Sequence, residues 1–243
     1  MQKVFFLIVL GLLSMSGIAQ DRKNVVKFIP VNLSLNSLSF EFERMINPKN
    51  SLELGIGIPM NQPFVNKFSM DLSTEEQISN DELGILSLRA AYKHYTGKSM
   101  EPKGFYYSPY VKYQTISASA DKVRTIEDDK GTFTSNENYD AKINTFGIGF
   151  QLGYQFLISK RVTLDLYFLG LEGGIANVNA TVKTSGLDQI NEIKSDIQDA
   201  IDDLPSFLRE KIDVTTEGNS VRVKGNSLLY PWIRGGISIG IAF

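Results

Sequence analysis

Phe146-Gly147-Ile148-Gly149-Phe150-Gln151-Leu152-Gly153-Tyr154-Gln155-Phe156 sets six large apolar residues at alternate positions against three glycines and two glutamines. Successive side chains leave a strand on opposite faces, so a period of two makes this stretch a strand with one apolar face and one small, uncharged face. A soluble sheet packs its apolar face inward and offers Lys, Glu and Thr to water on the other. A second face of Gly and Gln instead suits a narrow interior, and the apolar face is then left to point outward.

The same alternation recurs along the chain in eight segments, about 25–33, 37–46, 51–58, 83–95, 104–118, 146–156, 162–182 and 227–243. In the second, Leu38, Phe40 and Phe42 alternate with Ser39, Glu41 and Glu43; in the last, Ile233, Ile237, Ile239 and Ile241 oppose Arg234, Ser238 and small residues. These runs exceed the usual five or six residues of soluble strands and reach the roughly 9–11 that cross a bilayer when tilted. The links 47–50, 96–103 and 158–160 are short, whereas 61–82, 119–140 and 183–226 are long. Alternating short and long links place turns on one side of a membrane and loops on the other. The expected fold is therefore all-β: an eight-stranded antiparallel up-and-down transmembrane β-barrel, its external loops at about 61–82, 119–140 and 183–226.

Composition agrees with a single barrel domain at about 20–243. The chain has 243 residues, 25 Lys+Arg against 27 Asp+Glu, no cysteine and one histidine. Disulfides and Cys-based metal sites are excluded, and the near-neutral charge lacks the clustered cations that hold nucleic acid. Residues 1–19 carry Lys3, the apolar run from Val4 to Leu13 and the small residues Gly17 and Ala19, the three-part layout of a secretory signal. Export would leave a chain starting at Gln20.

Leu38-Ser39-Phe40-Glu41-Phe42-Glu43-Arg44, Pro102-Lys103-Gly104-Phe105-Tyr106-Tyr107-Ser108-Pro109-Tyr110 and Arg161-Val162-Thr163-Leu164-Asp165-Leu166-Tyr167 resemble the small outer-membrane β-barrel proteins of Bacteroidota-type bacteria. The final Ile239, Ile241 and Phe243 resemble the terminal-strand signal read by the barrel assembly machinery. The resemblance implies the cell outer membrane as location, with membrane lipid and that machinery as partners. Its motifs mark strand and turn positions and carry no chemistry, and the long seventh link departs from it.

Within that link, Leu187, Ile190, Ile193, Ile197, Ile201 and Leu204 recur at spacings of three and four, which predicts an amphipathic helix at about 186–204. It either docks an extracellular partner or folds onto the barrel mouth and buries its own stripe, and the second is favoured. The acidic residues between them, and Glu127-Asp128-Asp129, lack the ligand spacing of a calcium loop and read as a solvated face.

The expected interior charges Glu41, Glu43, Glu53, Arg89, Lys93, Lys112, Asp165 and Arg234 carry both signs and form a self-neutralising network. His94 has no serine nucleophile motif near it and reads as interfacial. Neither a catalytic residue, a metal site nor a cofactor is expected. The function expected is a small, closed, non-enzymatic outer-membrane barrel that anchors external loops for surface interaction or envelope integrity. An outer-membrane lipid-modifying enzyme, a narrow transport or binding barrel, and a soluble periplasmic lipid-binding barrel are the alternatives.

Overall fold

The computed structural model describes residues 22–60, 77–128, 131–158, 161–184 and 187–243. The expected signal segment lies outside them. All nine strands belong to one antiparallel sheet: β1 (Asn24–Phe28), β2 (Ser37–Asn47), β3 (Asn50–Pro59), β4 (Gln77–Tyr95), β5 (Gly104–Asp128), β6 (Gly131–Ile158), β7 (Val162–Thr184), β8 (Ile212–Glu217) and β9 (Ser220–Ala242). Neighbours in sequence pair in turn from β1 to β7, β7 then pairs with β9, and β9 returns to β1 through Val25↔Ala242 to Phe28↔Ile239. Eight strands thus close a ring, and β8 is a short addition on the outer edge of β9.

The links β2–β3, β4–β5 and β6–β7 lie at one end of the ring, together with Asn24 and Phe243, whose backbones bond each other at 3.1 and 2.9 Å. At the β2–β3 turn the Asn47 side-chain oxygen accepts from the N–H groups of Lys49 and Asn50, both at 3.0 Å, which fixes the reversal around Pro48.

Register establishes the two faces. Arg89, Lys112, Gly147 and Gly174 stand side by side on β4 to β7, and so do Ile85, Ile116, Ile143 and Val178; directly paired residues share a face, and these point inward. The other face carries the large apolar residues, and they are exposed: Leu54 at 61%, Ile148 at 63% and Phe150 at 44% of full accessibility. The interior is narrow enough that aromatic rings fill it. Tyr106 and Tyr110 lie directly over the backbone of Gly153 and Gly149, where a Cβ would collide with the rings. This is the reason for glycine on the inward face of β6.

Four expectations are corrected. Residues 119–128 and 131–140 are not a loop, because β5 runs on to Asp128 and β6 starts at Gly131, with pairing unbroken from Ala118↔Ala141 to Asp128↔Gly131. Ser117, Ser119, Asn138 and Asp140 make the outward face polar there, while small Ala118, Ala120 and Ala141 stand on the inward face, so the apolar stripe vanishes while the backbone ladder continues. The first strand ends at Phe28, not Leu33; Pro30 starts a 3-10 helix (Pro30–Leu35) that turns at Asn36, which takes the left-handed conformation asparagine tolerates. The long seventh link contains β8 and the start of β9 besides helix α1 (Leu187–Asp202) and the short α2 (Ser206–Arg209). Of the expected first loop, residues 77–82 belong to β4 and the rest lies outside the described residues.

Candidate functional site

The lower interior, toward the short links, is an ionic plug. Lys27 from β1 reaches Glu43 of β2 at 2.6 Å, Glu53 of β3 at 2.7 Å and Asp165 of β7 at 2.9 Å. Lys93 from β4 reaches Asp165 at 2.6 Å and Glu53 at 2.8 Å, and lies 4.2 Å from the Tyr106 ring centre. One step up, the Arg89 guanidinium holds Glu41 and Glu53, both at 2.6 Å. Lys27, Lys93 and Glu43 have no accessible surface at all.

Charges taken this far from water persist only when they are paired and hydrogen-bonded. Here hydroxyls and amides add bonds to the ion pairs, leaving the Arg89 Nε as a buried donor without a partner among the described residues. Tyr95 donates to Glu43 at 2.6 Å and Ser51 donates to the same oxygen at 2.5 Å; Tyr106 donates to Asp165 at 2.7 Å. Gln155 accepts from Lys27 at 2.8 Å and donates to the Pro102 carbonyl at 3.0 Å. Below them Met45, Tyr95 and Tyr106 form a buried apolar floor. With side chains from seven strands, β1 to β7, locked together, the short-link half of the ring is filled.

The upper interior is different. Lys112 pairs with Glu172 at 2.9 Å, and Glu172 also accepts from Tyr110 at 3.0 Å and Tyr230 at 2.9 Å. Above this second, smaller cluster lies a cavity of about 700 Å³. Its floor is Arg89, Lys112, Glu172 and Arg234, its walls are apolar side chains such as Ile85, Ile116, Ile143 and Leu228, and Leu204, Leu208 and Ile212 line it from the seventh link.

The expected charges are thereby sorted. Glu41, Glu43, Glu53, Arg89, Lys93 and Asp165 do meet in one network. Arg234 does not: its guanidinium sits between the rings of Tyr167 and Tyr110, 4.9 and 5.3 Å from their centres, with no carboxylate in salt-bridge range among the described residues. Sequence reading missed Lys27 and Glu172. Lys27 alternates between Val26 and Phe28 on a strand too short to show a pattern. Glu172 is displaced by an irregularity between Tyr167 and Gly170, which shifts the inward face from odd to even positions. The outward Phe168 and Leu169 on either side of that step were the available signal.

His94 stands on the outer face, its Nδ1 2.6 Å from the Asn50 side-chain oxygen and its ring stacked on Tyr107 at 4.9 Å. The amphipathic stripe of α1 faces the chain itself: Ile190 and Ile201 are buried, Ile193, Ile197 and Leu204 half-buried, while Asp196, Asp199 and Asp202 are exposed. The side chain of Leu187 lies outside the described ones. Phe243 and the alternate Ile239 and Ile241 sit at the closure of the ring, with both isoleucines exposed on its outer face. No protein family, curated protein or solved structure matches the chain.

Proposed function

We propose that this chain is a small outer-membrane β-barrel, non-enzymatic, plugged against diffusion at its periplasmic end and presenting a hairpin and a helix-capped loop at the cell surface. The observation that carries the proposal is the inversion of polarity: large aliphatic and aromatic residues cover the outside of the ring while lysines and carboxylates are buried within it. A monomer in water rarely exposes a continuous apolar surface on this scale, and a bilayer is the solvent that favours it.

Dimensions support the same reading. On β6 the outward apolar residues run from Phe146 to Ile158, thirteen positions, enough to cover the roughly 9–11 needed by a tilted strand. Tyr92, Tyr107 and Tyr154, with His94, ring the short-link end of that band as an interfacial girdle. At the other end β5 and β6 continue past Ser117 and Lys142 with a polar outward face, so this hairpin projects into water. The closed ring leaves no free edge where β1 meets β9, and a short-link half filled by side chains argues against a pore. The resemblance to the Bacteroidota-type barrels, and with it the reading of Ile239, Ile241 and Phe243 as an assembly signal, rests on the sequence.

Fractionation of expressing cells and gel migration of the membrane fraction with and without boiling test the proposal. Outer-membrane recovery with a heat-dependent shift is expected, together with no conductance in planar bilayers. Recovery in the soluble periplasm overturns it.

A further inference from the structure

The wall of the ring has an opening. β1 ends at Phe28, and its pairing with β9 stops at Ile239. β8 covers the same edge of β9 only from Ser220 to Gly225. From Leu228 to Ser238, β9 therefore has β7 on one side and no strand on the other among the described residues. The 3-10 helix of residues 30–35 stands opposite, with Val31 and Leu35 about half exposed.

This opening leads into the cavity above the plug. Val31, Leu35, Trp232 and Ile233 line the same volume as the inward-facing Ile116 and Ile143. Trp232 pairs with Glu172 and so lies on the inward face, yet it is 59% exposed, as expected of a lumen residue whose opposite wall is missing. Register also sets the height. Phe150 pairs with Leu171 and Leu171 with Ile233; Phe146 pairs with Ile175 and Ile175 with Leu229. The opening is thus level with the outward apolar band, where an unpaired strand edge is tolerated only if it lines a cavity or is buried in protein.

The cavity itself has two chemistries. Its walls and its cap, Leu204 and Leu208, are apolar, and its volume falls in the range of small-molecule sites. On its floor Lys112 is matched by Glu172 and Arg89 by Glu41 and Glu53, which leaves Arg234 as the cation that, among the described residues, is held by tyrosine rings and no carboxylate.

We propose that this cavity binds a long-chain carboxylate, its head group on Arg234 and its tail along Ile143, Ile116 and Ile85 toward the α1–α2 cap, reached sideways from the membrane between β9 and the 3-10 helix. The proposal rests on the membrane reading for its route, but not for its site. Arg presents a planar fork that matches a carboxylate, and the tyrosines on either side hold that fork in place. The ligand enters and leaves unchanged.

Trp232 is the only tryptophan in the chain and lies at the mouth, so it serves as the reporter. The whole protein in phosphatidylcholine vesicles is titrated with cis-parinaric acid, a fluorescent 18-carbon carboxylate, and energy transfer from Trp232 is read. Saturable transfer, displaced by palmitate, is expected. Arg234→Gln weakens parinarate about tenfold, the scale of one charge-assisted hydrogen bond, and leaves displacement by hexadecanol unchanged. Arg234→Lys, which keeps the charge, binds more tightly than Arg234→Gln. Ala176→Phe, which fills the cavity beside Leu228, abolishes saturable transfer. The gel shift on boiling confirms that each variant is folded.

Transfer that rises linearly with probe, or equal binding by the wild type and Arg234→Gln, overturns the site in a chain whose heat shift and membrane recovery are intact. A water-soluble chain that still binds parinarate saturably overturns the membrane reading and the sideways route while leaving the site.

Discussion

The two halves of the interior are lined from the same strands and solve opposite problems. Toward the short links, Lys27, Lys93 and Arg89 are locked to four carboxylates and no space remains. Toward the long links, the same strands β4 to β7 offer Ile85, Ile116, Ile143 and Val178 around empty volume. The comparison teaches that charge, and not apolar packing, is what closes this ring. An apolar outside cannot supply a core, so cohesion comes from ion pairs that low dielectric makes costly to break.

That contrast can be broken most forcefully at Lys27. Replacing it by Met leaves Glu43 and Asp165 with Lys93 alone and Glu53 with Lys93 and Arg89, and a loss of about 3–5 kcal/mol is expected, read as a lower urea midpoint for the heat-shifted band. Gly153→Val should cost about 1–3 kcal/mol by driving a side chain into the Tyr106 ring, with the same assay as the check. Tyr106→Phe removes one donor to Asp165 and one acceptor from Gln151, for about 1–3 kcal/mol; a smaller loss than for Lys27→Met separates the hydroxyl from the charge. In the upper half, Ile116→Ala should change stability by less than about 1 kcal/mol, because its side chain already borders a cavity instead of close-packed neighbours. His94→Ala, on the outer face, should cost no more than about 1 kcal/mol through its single bond to Asn50. If Ile116→Ala proves as damaging as Lys27→Met, the division of labour between the halves fails.

The sequence was legible wherever the two faces of a strand differ. The glycines and glutamines between Phe146 and Phe156 told which face is narrow, and the short links told which strands are neighbours. It was illegible where the outward face loses its apolar residues: 117–128 and 131–142 keep their ladder with Ser117, Ser119, Asn138 and Asp140 on that face, and periodicity has no apolar stripe to report. The network was half readable for a related reason. Glu41, Glu43 and Glu53 sit on clean alternations, whereas Lys27 lies on a five-residue strand and Glu172 follows the step at Tyr167 to Gly170. Arg234 was rightly placed inside and wrongly paired, since alternation fixes a face but not a partner in another strand. That α1 buries its stripe against the chain could not be read from the stripe itself, which is the same whether a partner or the ring covers it.

The closure of the ring also sets an order of assembly. β5 and β6 pair along 25 residues across a connection of two, so their hairpin forms from contacts close in sequence. β1 and β9 join residues from opposite ends of the chain, Val25 to Ala242, through only four pairs. Contacts so distant carry the largest loop-closure entropy and are made slowly. Closure is thus the last event of folding, and the same four pairs are where a completed ring first comes apart.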